Sequence, residues 1–187
     1  MRTEVSNGEV RIRRYCTEDI PHLFEAARES VNEMFTWMPW CHPNYSIAES
    51  TSYIVSRDAA WNQKSDFDFA ILDARTERFL GGVGLNQFNR DHSFGNLGYW
   101  VRSSSTRRGV AAAAARLAAH LGFEDLGLER IEIVVAVGNV ASEKVAEKVK
   151  AKREGVLRNR LLLHERPHDA TMFSLVPADL LTRSTEG

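Results

Sequence analysis

Cysteine is nearly absent from the 187 residues: Cys16 and Cys41 are the only two, and they sit at no metal-ligand spacing and in no redox motif. They read as free thiols of a reducing compartment, with a disulfide the alternative that sequence leaves open. No apolar run approaches the roughly 18 residues of a membrane span. The N-terminal MRTEVSNGEVRIRR lacks the apolar core of a secretory signal. An excess of one charge is missing too: the formal net charge is -1, which gives no overall field to gather nucleic acid or an anionic membrane. No G-x-x-x-x-G-K-[ST] loop occurs, and GGVG at Gly81–Gly84 opens no helix, so it fails as a dinucleotide fingerprint. No repeat, low-complexity block or linker divides the chain. The expectation is one domain over residues 1–187 with no metal and a cytoplasmic location, its tail frayed after about residue 177.

Periodicity supplies the elements. Val10 to Tyr15 reads as a strand, and Thr17 reads as the cap of a helix with Ile20, Leu23, Phe24, Ala27 and Val31 on one face. The aromatic, proline-broken MFTWMPWCHPNY follows, and Ser46 with Glu49 then has the spacing of a capping box. FDFAILDARTERFLGGVGLNQF reads as two strands about a turn near Arg75 to Arg78, and LGYWV as a third. Next comes a helix from about Gly109 to Leu126, stopped near Gly127. RIEIVVAV is a strand, NVASEKVAEKVK a helix, and two strands close the order βααβββαβαββ. This is an α/β pattern, in which ligands favour the carboxyl ends of strands.

The stretch STRRGVAAAA joins a strand to a helix that opens on glycine and small residues. First-turn N–H groups have no intrahelical partners, and the macrodipole places about half a positive charge there. Gly109 offers bare backbone, Ala111 and Ala112 keep the approach open, and Arg107 and Arg108 add charge. A phosphate or pyrophosphate suits such a cradle. A plain connection with solvated arginines is the competing reading.

LGYWV, TRRGVAAAA, ERIEIVVAVGNVAS and REGVLRNR…HDATMFSLV together resemble the GNAT N-acetyltransferase superfamily, in the branch that acetylates serine and alanine termini of ribosomal proteins. The resemblance runs from about Val10 to Val176. It implies a mixed, mostly antiparallel sheet of about seven strands flanked by four helices and splayed between strands four and five. It also implies acetyl-CoA as co-substrate. The family's Q/R-x-x-G-x-G/A loop falls on Thr106 to Ala111, so Arg107, Arg108, Gly109, Val110, Ala111 and Ala112 would hold the pyrophosphate. Main-chain groups of Tyr99, Trp100 and Val101 would pair with the pantetheine arm and polarise the thioester carbonyl. Asn139 and Ser142 match the family's N-x-x-S. The asparagine would bond the arm, and the serine would protonate the leaving thiolate. Tyr99 and Ser142 are thus the catalytic candidates, although Asn139 and Ser142 equally suit a helix cap. Lys144 and Lys148 read either as phosphate contacts or as a solvated face.

Trp37, Trp40 and Tyr45, with Phe35, resemble the acceptor-pocket wall, against the simpler reading of core contacts. Two departures stand out. Lys150 and Ala151 replace the family's Gly-Phe, which strains Lys150 if the backbone must turn left-handed there. Leu161 stands near a carboxylate proposed as base in relatives. His168, Asp169, Glu165 and Asp91 are the remaining candidates, each also readable as structural. The implied acceptor is a primary amine, foremost a protein N-terminus, attacked directly in a ternary complex. A small-molecule amine and a non-catalytic CoA-binding module are the rival readings, and a homodimer is compatible with the family.

Overall fold

Near-continuous burial along the strands Phe67–Asp73, Phe79–Asn89 and Arg166–Leu175 marks a sheet covered on both faces, and the computed structural model describes residues 1–180. The elements are β1 (Glu4–Ser6), β2 (Val10–Arg14), α1 (Ile20–Met34), α2 (Ile47–Gln63), β3 (Phe67–Asp73), β4 (Phe79–Asn89), β5 (Phe94–Val101), α3 (Val110–Leu126), β6 (Arg130–Ala136), α4 (Val140–Lys148), β7 (Lys152–Leu163), β8 (Arg166–Leu175) and the helical turn α5 (Pro177–Leu180). Among the described residues the sheet has eight strands, in the order β1-β2-β3-β4-β5-β6-β8-β7, not about seven. The extra one, β1, is three mostly exposed residues paired with β2, with Val5 its single apolar side chain. Of the tail expected to fray, residues 177–180 form α5 instead, and the rest lies outside the described residues.

Every neighbouring pair is antiparallel except β5 and β6, which run parallel. That pair is short: Phe94, Gly95 and Asn96 face Arg130, Ile131 and Glu132, and beyond them the strands part. This is the expected splay. Strand β6 is then held from its other side by β8, through six residue pairs from Ile131↔Leu175 to Ala136↔Ala170.

On one face α3 packs its alanines against Phe69, Leu85, Leu97 and Ile131. On the other, α1 and α2 cover Ala70, Leu72 and Phe79. Truncating a fully buried ring such as Phe69 or Phe173 costs about 3–5 kcal/mol. The Ser46–Glu49 capping box starts α2 as expected. Thr17 does not cap α1: Thr17–Asp19 is a short 3-10 turn, and Asp19 accepts from the Cys16 N–H at 3.0 Å while pairing with Arg13. Lys150 does turn left-handed, with φ of 70°, a strain of about 1–2 kcal/mol for a residue with a side chain.

Candidate active site

Where β5 and β6 part, the main-chain groups of Leu97 to Val101 on the β6-facing edge have no strand partner among the described residues. The same holds for the β5-facing edge of Ile133 to Ala136. The resulting throat is a row of donors and acceptors suited to an extended amide-bearing chain.

The cradle stands at the start of α3. Gly109, its N-cap, has φ of 81°, and Arg107 is left-handed too, at 61°. The N–H groups of residues 107–109 have no hydrogen-bond partner among the described residues, and they lead into the unpaired first turn of α3. Arg107 and Arg108 are exposed, and Ala111 is half-buried. Val110 and Ala112 turn their side chains into the core, so any contribution from them is through the main chain. Lys148, at the end of α4, reaches over Gly109: a Cβ there would stand 3.2 Å from Nζ. One glycine thus brings α3's N-terminus and a lysine from another helix together. A pyrophosphate fits this arrangement of bare donors and cations. A nearby cleft of about 520 Å³ also touches Arg108 and Gly109, but Glu9 and Asp73 line its other side and oppose an anion.

Across the throat, Tyr99 extends from β5 to α4. Its hydroxyl donates to the Ser142 carbonyl at 3.0 Å and lies 3.2 Å from Ser142 Oγ. With the phenol hydrogen so engaged, the Ser142 hydroxyl is the donor in the second contact. Burial pushes the Tyr99 pKa up to about 12, so it stays protonated at any working pH. Asn139 Oδ1 accepts from the Ser142 N–H at 3.1 Å. The capping role of Asn139 is therefore present, and it leaves the Ser142 hydroxyl in place.

Trp100 points to the opposite face from Tyr99. Its ring meets Trp40 edge-on at 5.5 Å and Phe79 at 6.0 Å, so only its backbone faces the throat. Trp40 remains 40% exposed. Tyr45 is buried behind it, stacked on Phe24 and bonded to Ser50. Trp37 lies against His168 and close to Gly138, and Phe35 against His164. The segment between α1 and α2 therefore spans the mouth, touching β5 on one side and the β7–β8 hairpin on the other.

The base candidates fare unequally. Asp91 lies in the turn before β5, at the far end of that strand from the splay. Glu165 is exposed at the tip of the β7–β8 hairpin. His168 Nε2 is 3.1 Å from the Val137 carbonyl, and Asp169 Oδ1 accepts from the Asn159 N–H. Cys16 and Cys41 are free thiols. Cys41 is buried, its thiol pushed up to about 11 by desolvation.

Sequence reasoning had no means to pair Tyr99 with Ser142 or Trp40 with Trp100. For Lys148 the sequence favours a solvated helix face, whereas the structure sets its Nζ over Gly109.

The acetyltransferase (GNAT) domain family matches residues 9–152. An uncharacterized N-acetyltransferase of Bacillus subtilis, YoaA, is 29% identical over 131 residues, 70% of this chain and 74% of that protein. The solved structure titled "a putative ribosomal-protein-serine acetyltransferase from Vibrio cholerae" superposes with a TM-score of 0.83 at 26% identity, over 95% of this chain and all of that one. RimL, a ribosomal L7/L12 α-N-protein acetyltransferase solved with coenzyme A, shares the fold with a TM-score of 0.82 at 18% identity, over 93% of this chain and 97% of its own.

Proposed function

This chain belongs to the GNAT acetyltransferase family, and from that premise we propose that it transfers the acetyl group of acetyl-CoA to the α-amino group of a protein or peptide N-terminus. The observation that carries the reading is the splay itself. An open throat between β5 and β6 has a phosphate cradle at Gly109 beside one end and the Tyr99–Ser142 hydroxyl pair across it.

The co-substrate supplies an activated acetyl group as a thioester. The N–H groups from Arg107 to Ala112, with Lys148, hold its diphosphate, and the β5 and β6 edges hold its amide arm. Main-chain donors at Tyr99 to Val101 polarise the carbonyl, a fixed-dipole contribution that needs no rearrangement during reaction. Ser142, oriented by Tyr99, gives its proton to the departing sulfur and is reprotonated by the proton that the nitrogen sheds as the amide forms. An α-amino group, with a pKa of about 8, is partly neutral at pH 7, which lowers the demand on any base. The likeness to the Vibrio cholerae protein supports a ribosomal-protein terminus as acceptor.

Trp40, exposed at the mouth and braced on Trp100, favours one second reading: an amine carrying a flat ring that stacks there. Release of free thiol from acetyl-CoA, measured with serine- and alanine-ended peptides beside nucleoside and aliphatic amines, separates the two. Turnover confined to small amines overturns the peptide assignment.

A further inference from the structure

On the α1/α2 face of the sheet, three side-chain positions lie in one row across three strands. Asp68 on β3 pairs with Gly84 on β4, and Gly84 pairs with Gly98 on β5. At the usual strand spacing the row spans about 10 Å. Because Gly84 has no side chain, the Asp68 carboxylate lies down over it; Oδ1 occupies the space a Cβ would fill. Over Gly98 nothing stands within 4 Å of where a Cβ would be. Gly98 is the second residue beyond Asn96, the last of β5 to pair with β6, so this open space lies at the mouth of the splay.

Asp68 is held on one side only. Arg57 of α2 donates to Oδ2, whereas Oδ1 has no hydrogen bond among the described residues. It is not sealed from solvent either, since the side chain is 14% exposed. The groups facing the carboxyl are Arg57 and Tyr53 from α2, Asp66 from the turn before β3, and Tyr15 from the end of β2. The Arg57 guanidinium is itself spread over the Tyr53 ring at 4.5 Å. The Tyr15 hydroxyl is buried with no partner among the described residues and converges with Trp100 Nε1 on Gly82, one row nearer the end of β5. An anion with one free oxygen, walled by aromatic rings and facing a vacant strip of glycine, is a receptor for a small cation.

We propose that Asp68, presented across the Gly84–Gly98 floor, is the counter-ion for the primary ammonium group of the acceptor and the first acceptor of its proton. This rests on the acetyltransferase reading above. In the step, an N–H bond of the ammonium breaks and an O–H bond forms on Asp68 Oδ1. The nitrogen keeps the electron pair for attack on the thioester, and the carboxylic acid returns the proton to solvent at its exposed edge. Burial pushes the Asp68 carboxyl upward against the opposing pull of Arg57, which suits a group that must take up a proton.

Two variants of the full-length chain test this. Asp68→Asn keeps the size of the side chain and can still accept from Arg57 through its amide oxygen. Gly98→Val fills the strip without touching Asp68, at a site with room for it. Both are expected to raise KM for a serine-ended peptide at least tenfold while leaving acetyl-CoA affinity unchanged. Asp68→Asn alone is expected to lose the acidic limb of the kcat/KM profile, and Asp68→Glu to restore part of it. A peptide KM within twofold of the parent in both variants overturns the assignment. An independent arm needs no acetyl donor: the NMR shift of the labelled Asp68 carboxyl is followed as the peptide is added. A saturable shift that the N-acetylated peptide fails to produce supports the subsite, and no shift overturns it. Failure of acetyl-CoA to bind overturns the proposed function instead, and the carboxyl titration still decides the subsite.

Discussion

Replacing Gly109 with valine separates the cradle from the fold. With φ of 81°, the position costs a residue bearing a Cβ about 1–2 kcal/mol, and a β-branched one the upper end of that range. The nearest obstacle is Lys148 Nζ at 3.2 Å, the far end of a flexible chain that can swing aside. Against a total stability of about 5–15 kcal/mol the variant stays folded, with a melting temperature lower by roughly 2–8 °C for a chain of this size. Binding suffers more. The new side chain stands in the cradle and displaces the lysine, so at least two charge-assisted hydrogen bonds are lost, each worth about 1.5–3 kcal/mol. That sum, about 3–6 kcal/mol, predicts acetyl-CoA affinity lower by roughly 10²- to 10⁴-fold. Calorimetric titration of parent and variant with acetyl-CoA, beside a thermal melt of each, reads both quantities. Lys148→Met run in parallel isolates the charge and should weaken binding by only about tenfold, an effect that fades with salt. A folded Gly109→Val protein that binds acetyl-CoA within twofold of the parent refutes the cradle.

Ser142→Ala keeps the backbone N–H that Asn139 caps, so the melting temperature should hardly move while turnover falls by about 10- to 100-fold; unchanged turnover returns Ser142 to the cap alone. Tyr99→Phe should lower turnover through the loosened serine without altering the pH profile below pH 10, because the phenol, at about 12, does not titrate there; a shifted alkaline limb would contradict this. Joint replacement of Cys16 and Cys41 by alanine should leave turnover within about threefold of the parent, as direct transfer requires, and an inactive but folded double variant would revive a thiol intermediate. Glu29, held at about 2 by the buried Arg102 guanidinium, stabilises the fold above its unfolded pKa near 4.5 and loses that contribution as pH falls toward 2. After allowance for solvent screening this amounts to about 1–2 kcal/mol; urea melts at pH 7 and pH 3 should show the difference shrink in Glu29→Gln, and equal losses in both proteins would exclude it.

Much of this site was written locally. Gly109 announced itself by the small residues that follow it, and Ser46 with Glu49 by spacing, because caps and helix starts are decided within four residues of chain. Asn139 and Ser142 were visible for the same reason. The pairing of Tyr99 with Ser142 was not, since forty-three residues separate them and only the strand order brings β5 opposite α4. Asp68, Gly84 and Gly98 each look ordinary in sequence, as an acidic strand residue and two glycines. Their meaning comes from register, which sets them in one row, and a shift of one residue would turn the carboxylate to the other face. Strand β1 carries too little pattern to read, because Val5 is its one apolar side chain, between the exposed Glu4 and Ser6.

The insertion of β8 between β6 and β7 also fixes the order in which the protein can be completed. While residues 166–175 are still inside the ribosome, β6 has only its three pairs with β5, and β7 has no neighbour at all. One wall of the throat is therefore provisional until β8 has formed, and a chain without it exposes two open strand edges that invite mispairing. Strand β8 closes both at once. The throat is complete only once β8 has paired, and a chain that lacks β8 is a binding half without its second jaw.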